Sequence, residues 1–68
     1  MGHQTPEAYI QLGVIYTKTK EFDNAQNSFF KAIRIDNNNS KAFCFLANIY
    51  TEKNDYKKAE KNYTHATK

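Results

Sequence analysis

Apolar residues recur along this chain at intervals of three and four. Tyr9, Leu12, Gly13 and Tyr16 form one such series, and Phe43, Leu46, Ala47 and Tyr50 form another. The spacing i, i+3, i+4, i+7 places each set on one face of an α-helix. Phe22, Ala25, Phe29 and Ala32 continue the rhythm, as do Tyr56, Ala59, Tyr63 and Ala66. The pattern predicts an all-α fold with four helices near 6–19, 22–35, 40–53 and 56–67, arranged as two antiparallel pairs. Thr5-Pro6 is a good helix start, because it offers a capping hydroxyl and a proline at the first helical position. Asp55 can cap the last helix, and Asn54 before it tolerates the left-handed backbone that ends a helix. Lys20 stands at the place equivalent to Asn54 and is a poorer choice there. The run Asp36-Asn37-Asn38-Asn39 breaks the pattern and reads as a connector.

The two halves of the chain repeat each other. The segment LGVIYTKTKEFDNAQNSF at 12–29 returns 34 residues later as LANIYTEKNDYKKAEKNY at 46–63. Ala8/Ala42, Leu12/Leu46, Ile15/Ile49, Tyr16/Tyr50, Ala25/Ala59 and Ala32/Ala66 are identities at that offset. Tyr9/Phe43, Gly13/Ala47, Phe22/Tyr56 and Phe29/Tyr63 are conservative pairs. Large apolar and small residues repeat while the polar ones between them vary, as expected of a packing unit used twice. The small residues Gly13, Ala47, Ala25, Ala32, Ala59 and Ala66 let helices approach, and Tyr9, Phe29, Phe43 and Tyr63 fill the space around them.

Composition adds little except exclusions. At 40% hydrophobic and 25% charged residues, the chain reads as an ordinary globular protein. It has no apolar run near the ~20 residues a membrane span needs, and no signal-peptide pattern opens it, so an intracellular, cytoplasmic setting is expected. The single cysteine, Cys44, has no internal partner, and His3 and His65 have no ligand cluster beside them, so no metal site and no cofactor are expected. Cys44 lies between Phe43 and Phe45 without a nearby base, and no nucleophile, base and orienting group come together anywhere. The expected catalytic set is none, and the chain does not read as an enzyme. The net charge of +3 comes wholly from residues 41–68, with six basic and three acidic side chains, mainly through Lys53, Lys57, Lys58, Lys61 and Lys68. A solvated helix face accounts for this cluster, and nucleic acid is not the expected partner.

The repeated positions resemble the tetratricopeptide repeat, a helix–turn–helix unit of 34 residues. Tyr9, Leu12, Gly13, Tyr16, Ala25, Phe29 and Ala32 stand at its signature places in the first unit. Phe43, Leu46, Ala47, Tyr50, Ala59, Tyr63 and Ala66 do so in the second. Tyr9 and Phe43 replace the usual tryptophan, and Asn37 replaces the proline at the join. The offset and residue order set it apart from the RNA-reading pentatricopeptide repeat. On this resemblance, residues 1–5 are a tail, 6–39 the first unit, and 40–68 a second unit that stops short of a full period.

The resemblance implies a scaffold whose groove, lined by the first helix of each pair, takes a peptide or helix from a protein partner. The lining positions would be Glu7, Ile10, Gln11, Val14, Thr17 and Lys18 in the first unit. In the second they would be Lys41, Cys44, Phe45, Asn48, Thr51 and Glu52. With Ile10, Val14 and Phe45 where some relatives carry carboxylate-gripping cations, and only Asn48 polar as they are, the groove reads as apolar. Two units are few, since about three are usually needed to bury a continuous core. Homo-oligomerisation through apolar residues such as Ile10, Val14, Phe45 and Ile49, or membership of a longer array, is the alternative expectation. Weak nucleic-acid binding by the basic last helix is a further one.

Overall fold

The structure, a computed structural model, describes residues 5–66. These residues form four helices: α1 (Pro6–Lys18), α2 (Phe22–Ile35), α3 (Ser40–Glu52) and α4 (Tyr56–Ala66). No strand occurs among the described residues. The first and third helices end one residue earlier than the periodicity predicts, because Thr19 and Lys53 serve as their C-caps. The tail positions 1–4 and the predicted helix end at 67 lie outside the described residues.

Each helix end has a local cause. The Ala8 N–H donates to Thr5 Oγ1 at 3.2 Å, and Pro6 fills the first helical position. α3 is capped in the same way by Asn39, whose Oδ1 accepts from the Ala42 N–H at 3.1 Å. Asp55 Oδ1 accepts from the Lys58 N–H at 3.4 Å. The sequence pattern places Asn39 in the connector, and a short polar residue directly before a helical run is the signal for its capping role.

The two hairpin turns are built alike. Lys20 and Asn54 are left-handed, with φ of 64° and 65°. The Lys20 N–H donates to Thr17 O at 3.0 Å and the Glu21 N–H to Tyr16 O at 2.8 Å. The Asn54 N–H donates to Thr51 O at 3.0 Å and the Asp55 N–H to Tyr50 O at 2.8 Å. Both pairs of bonds make a Schellman motif, which satisfies carbonyls that the helix end leaves without partners. The repeat therefore extends to backbone hydrogen bonds, although one turn carries lysine and the other asparagine.

α1 packs on α2 and α3 packs on α4; α2 then packs on α3, and α1 touches α3 lightly. Ile10, Ala25, Phe29, Ala32, Ala42, Leu46, Ala47, Ile49, Tyr50 and Ala59 form one buried cluster, with Tyr9, Val14, Tyr16, Phe22, Ile33 and Phe45 packed against it. A Cβ added at Gly13 would lie 2.5 Å from Phe29 Cε1, so glycine lets the fully buried ring lie against α1 where it does. Phe29 also stacks on Phe45, with ring centroids 5.4 Å apart. Lys53 Nζ, at the end of α3, donates to Asp23 Oδ1 at 2.6 Å and Gln26 Oε1 at 3.0 Å across the junction between the pairs. This bridge is largely exposed and contributes at most about 1 kcal/mol.

Two residues expected in the core are not in it. Leu12 and Tyr63 are each 40% exposed. Leu12 lies at the position on α1 whose counterpart on α3, Leu46, is covered by the α2 side, and no described helix packs there. Tyr63 sits in α4 with no described helix stacked beyond it, and its hydroxyl donates to Asn48 Oδ1 at 2.6 Å. Phe43 and Ala66 are half-buried, with Phe43 stacked on His65 at 5.0 Å between ring centroids.

Candidate partner-binding groove

α1 and α3 run side by side as the first helices of the two pairs, and the sequence-predicted lining comes from these two helices. The structure brings five of those residues together. Val14, Thr17 and Lys18 of α1 and Phe45 and Asn48 of α3 line a single depression of about 190 Å3. Its wall is mostly carbon. Val14 and Phe45 are half-buried and rest on the core. Thr17 Oγ1 donates to Gly13 O at 2.8 Å, so its hydroxyl is already satisfied within the helix. Thr51 makes the same bond to Ala47 O at 2.9 Å. Two polar groups edge the depression. Lys18 supplies an exposed cation in the last turn of α1, and Asn48 has an amide whose oxygen is engaged by Tyr63 and whose N–H donors can serve a partner.

The size indicates what can enter. Pockets that enclose small molecules run to roughly 300–1,000 Å3. A depression of about 190 Å3 is below that range and has room for about one side chain. Phe45 is held against Phe29, and Phe29 against Gly13, so the floor of the depression is tied to the close contact between that ring and α1.

The other predicted lining residues fall into two groups. Glu7, Gln11, Lys41, Cys44, Thr51 and Glu52 are exposed on α1 and α3 but do not line this depression. Ile10 is a correction. It is 4% exposed and belongs to the core, not to an open groove. The cause is positional. α1 has only α2 and α3 as neighbours, and Cys44, the counterpart of Ile10, stays exposed although α4 packs on its helix as α2 packs on α1. The added neighbour, α3, is what covers Ile10. Ile49, expected as exposed apolar surface, is likewise fully buried.

Among the described residues no group of three His, Cys, Asp or Glu side chains is placed to hold a metal ion. No helix among them is long and apolar enough to cross a membrane. Lys57, Lys58 and Lys61 are exposed on α4, and Lys58 lies 3.8 Å from Asp55 and over the Tyr50 ring at 5.6 Å.

Two family models match the chain, both described as tetratricopeptide repeat, one over residues 6–39 and the other over residues 40–68. Among curated proteins no match was found.

Proposed function

Because this chain belongs to the tetratricopeptide repeat family, whose helix pairs generally serve protein–protein interaction, we propose that it is a scaffold that binds a partner's peptide or helix across α1 and α3. The depression formed by Val14, Thr17, Lys18, Phe45 and Asn48 carries this reading. It is apolar at its base, edged by a cation and an amide, and sized for one anchoring side chain. An amphipathic segment of a partner protein would seat one apolar residue there, in the helix-in-groove or extended manner such surfaces use. Its polar flank would lie toward Lys18 and Asn48. A partner with an acidic residue next to its anchor fits best, because Lys18 is the charge nearest the depression.

The test is selection of binders from a display library of random linear peptides, using the whole chain as bait. Peptides with an apolar anchor beside an acidic residue should emerge. Val14→Asp, which places a charge in the apolar wall, should abolish their binding while leaving the far-UV dichroism helical. Asn48→Glu at the exposed edge, which sets a like charge against the acidic residue, should weaken binding without unfolding the chain. Selected peptides that bind both variants as well as the parent would rule this groove out.

A further inference from the structure

The two halves of the chain provide an internal control for what a missing neighbour uncovers. Ala42, Leu46 and Ile49 on α3 are all buried, at no more than 1% exposure. Their counterparts on α1 are Ala8, Leu12 and Ile15, residue for residue the same. All three are exposed, Leu12 at 40% and Ile15 at 57%. Both sets sit on the first helix of a pair, so the second helix of the same pair does not decide the difference. Among the described residues, what α3 has and α1 lacks is a preceding helix, α2, packed across that face. The outer face of α1 is thus a packing surface of known complement, left open.

Two kinds of second copy could cover it. One would continue the repeat head to tail, with α4 of one copy standing where α2 stands against α3. At the existing junction Lys53 meets Asp23. At a head-to-tail junction the equivalent residues are Thr19 and Lys57. Lys18 and Lys20 would flank the one, and Lys58 and Glu60, the counterpart of Gln26, the other, so the junction would carry an excess of cations and no counterpart of the Lys53–Asp23 ion pair. The covering helix is also less apolar than α2, since Tyr56 and Tyr63 stand for Phe22 and Phe29. The other arrangement sets α1 against α1 of a second copy about a two-fold axis. The stripe Ala8, Leu12 and Ile15 then meets itself. Glu7 in the first turn and Lys18 in the last turn are both exposed and lie at opposite ends of the helix. An antiparallel pair brings each Glu7 toward the Lys18 of the other copy, twice per dimer.

We propose that the outer face of α1 is a homodimer interface, in which Ala8, Leu12 and Ile15 of two copies pack antiparallel about a two-fold axis, bracketed by reciprocal Glu7–Lys18 pairs. Such an isologous contact closes at two copies, whereas a head-to-tail contact would propagate. One short helix face per copy makes a small interface, so the dimer is a weak, concentration-dependent one. Of the residues expected to drive self-association, Ile10, Val14, Phe45 and Ile49, the burial of Ile10 and Ile49 removes two, and the exposed apolar surface lies instead on the outer face of α1.

The experiment is sedimentation equilibrium of the whole chain from micromolar to millimolar concentration. The weight-average mass should rise from 7.9 kDa toward twice that value and go no further. Ile15→Glu, at an exposed position, should hold the mass at the monomer while far-UV dichroism keeps its helical signal. Glu7→Lys and Lys18→Glu should each weaken the dimer, and the double variant should restore it. Lys57→Glu should leave the association unchanged. A monomer at every concentration would overturn the proposal and leave this face to a helix from another protein. Mass growth past the dimer, association strengthened by Lys57→Glu, or failure of the double variant to restore it would overturn it as well.

Discussion

The two helix pairs use the same plan with different tolerances, and the pairs Gly13/Phe29 and Ala47/Tyr63 show it best. In the first pair the ring of Phe29 is wholly buried, stacked on Phe45 and pressed so close to α1 that only glycine fits opposite. In the second pair the equivalent ring carries a hydroxyl, lies 40% exposed and donates to Asn48, and the residue opposite is alanine. The first pair is flanked on one side by the second, and its aromatic ring sits at the junction. The second pair has no described helix beyond it, and its ring is partly exposed and carries a polar end that meets water. Packing tightness here follows place in the stack, although the two units have nearly the same pattern.

The largest contrast is expected from truncating the two rings. Phe29→Ala should destabilise the chain by about 3–5 kcal/mol, since it empties a fully buried site. Tyr63→Ala should cost about 1 kcal/mol, in line with the loss of one hydrogen bond and partly exposed area. Urea unfolding followed by far-UV dichroism measures both, and equal losses would dissolve the distinction between the pairs. Next comes the small residue opposite each ring. Gly13→Ala should cost about 1–3 kcal/mol by overpacking, despite alanine's better helix propensity. The reverse swap, Ala47→Gly, should cost about 1–2 kcal/mol, from helix propensity together with the loss of a buried methyl. A stabilising Gly13→Ala would show that the Phe29 ring can move aside. The smallest effect concerns the turns. Lys20→Gly should raise stability by about 1 kcal/mol, because a left-handed lysine carries a Cβ penalty that glycine lacks. Asn54→Gly should gain less, as asparagine tolerates that conformation, and thermal melts of the two variants side by side would rank them.

Much of this fold was legible in the residues. The three-and-four spacing found all four helices, and Thr5, Asp55 and Asn54 marked ends that the hydrogen bonds bear out. Lys20 was visible as an awkward residue for a left-handed site, yet it occupies one. What the pattern could not distinguish was which copy of a repeated residue lies inside. Leu12 and Leu46 are the same residue in the same local sequence, and burial separates them through a neighbour that local sequence does not encode. Ile10 and Cys44 differ for the same reason in the opposite direction: α3 follows α1, and no described helix follows α3 in that position. The groove was legible in outline, because its lining alternates with the core along α1 and α3. Its narrowing to the five residues around Val14 and Phe45 depends on how closely the two helices approach, and spacing within one helix does not report that.

The order of contacts along the chain also determines how it can fold. Each helix packs chiefly on the one before and the one after it, and among the described residues α4 touches neither α1 nor α2. No step therefore requires the two ends of the chain to find each other. Either hairpin can form first by closing a short turn, and the second can zip onto it through Phe29 and Phe45. Chains dominated by such local contacts fold in roughly microseconds to milliseconds, because little loop entropy is lost before contacts reward it. The same arrangement lets the outermost helix detach without unlocking the rest, so amide exchange in α4 should run ahead of exchange in α2 and α3.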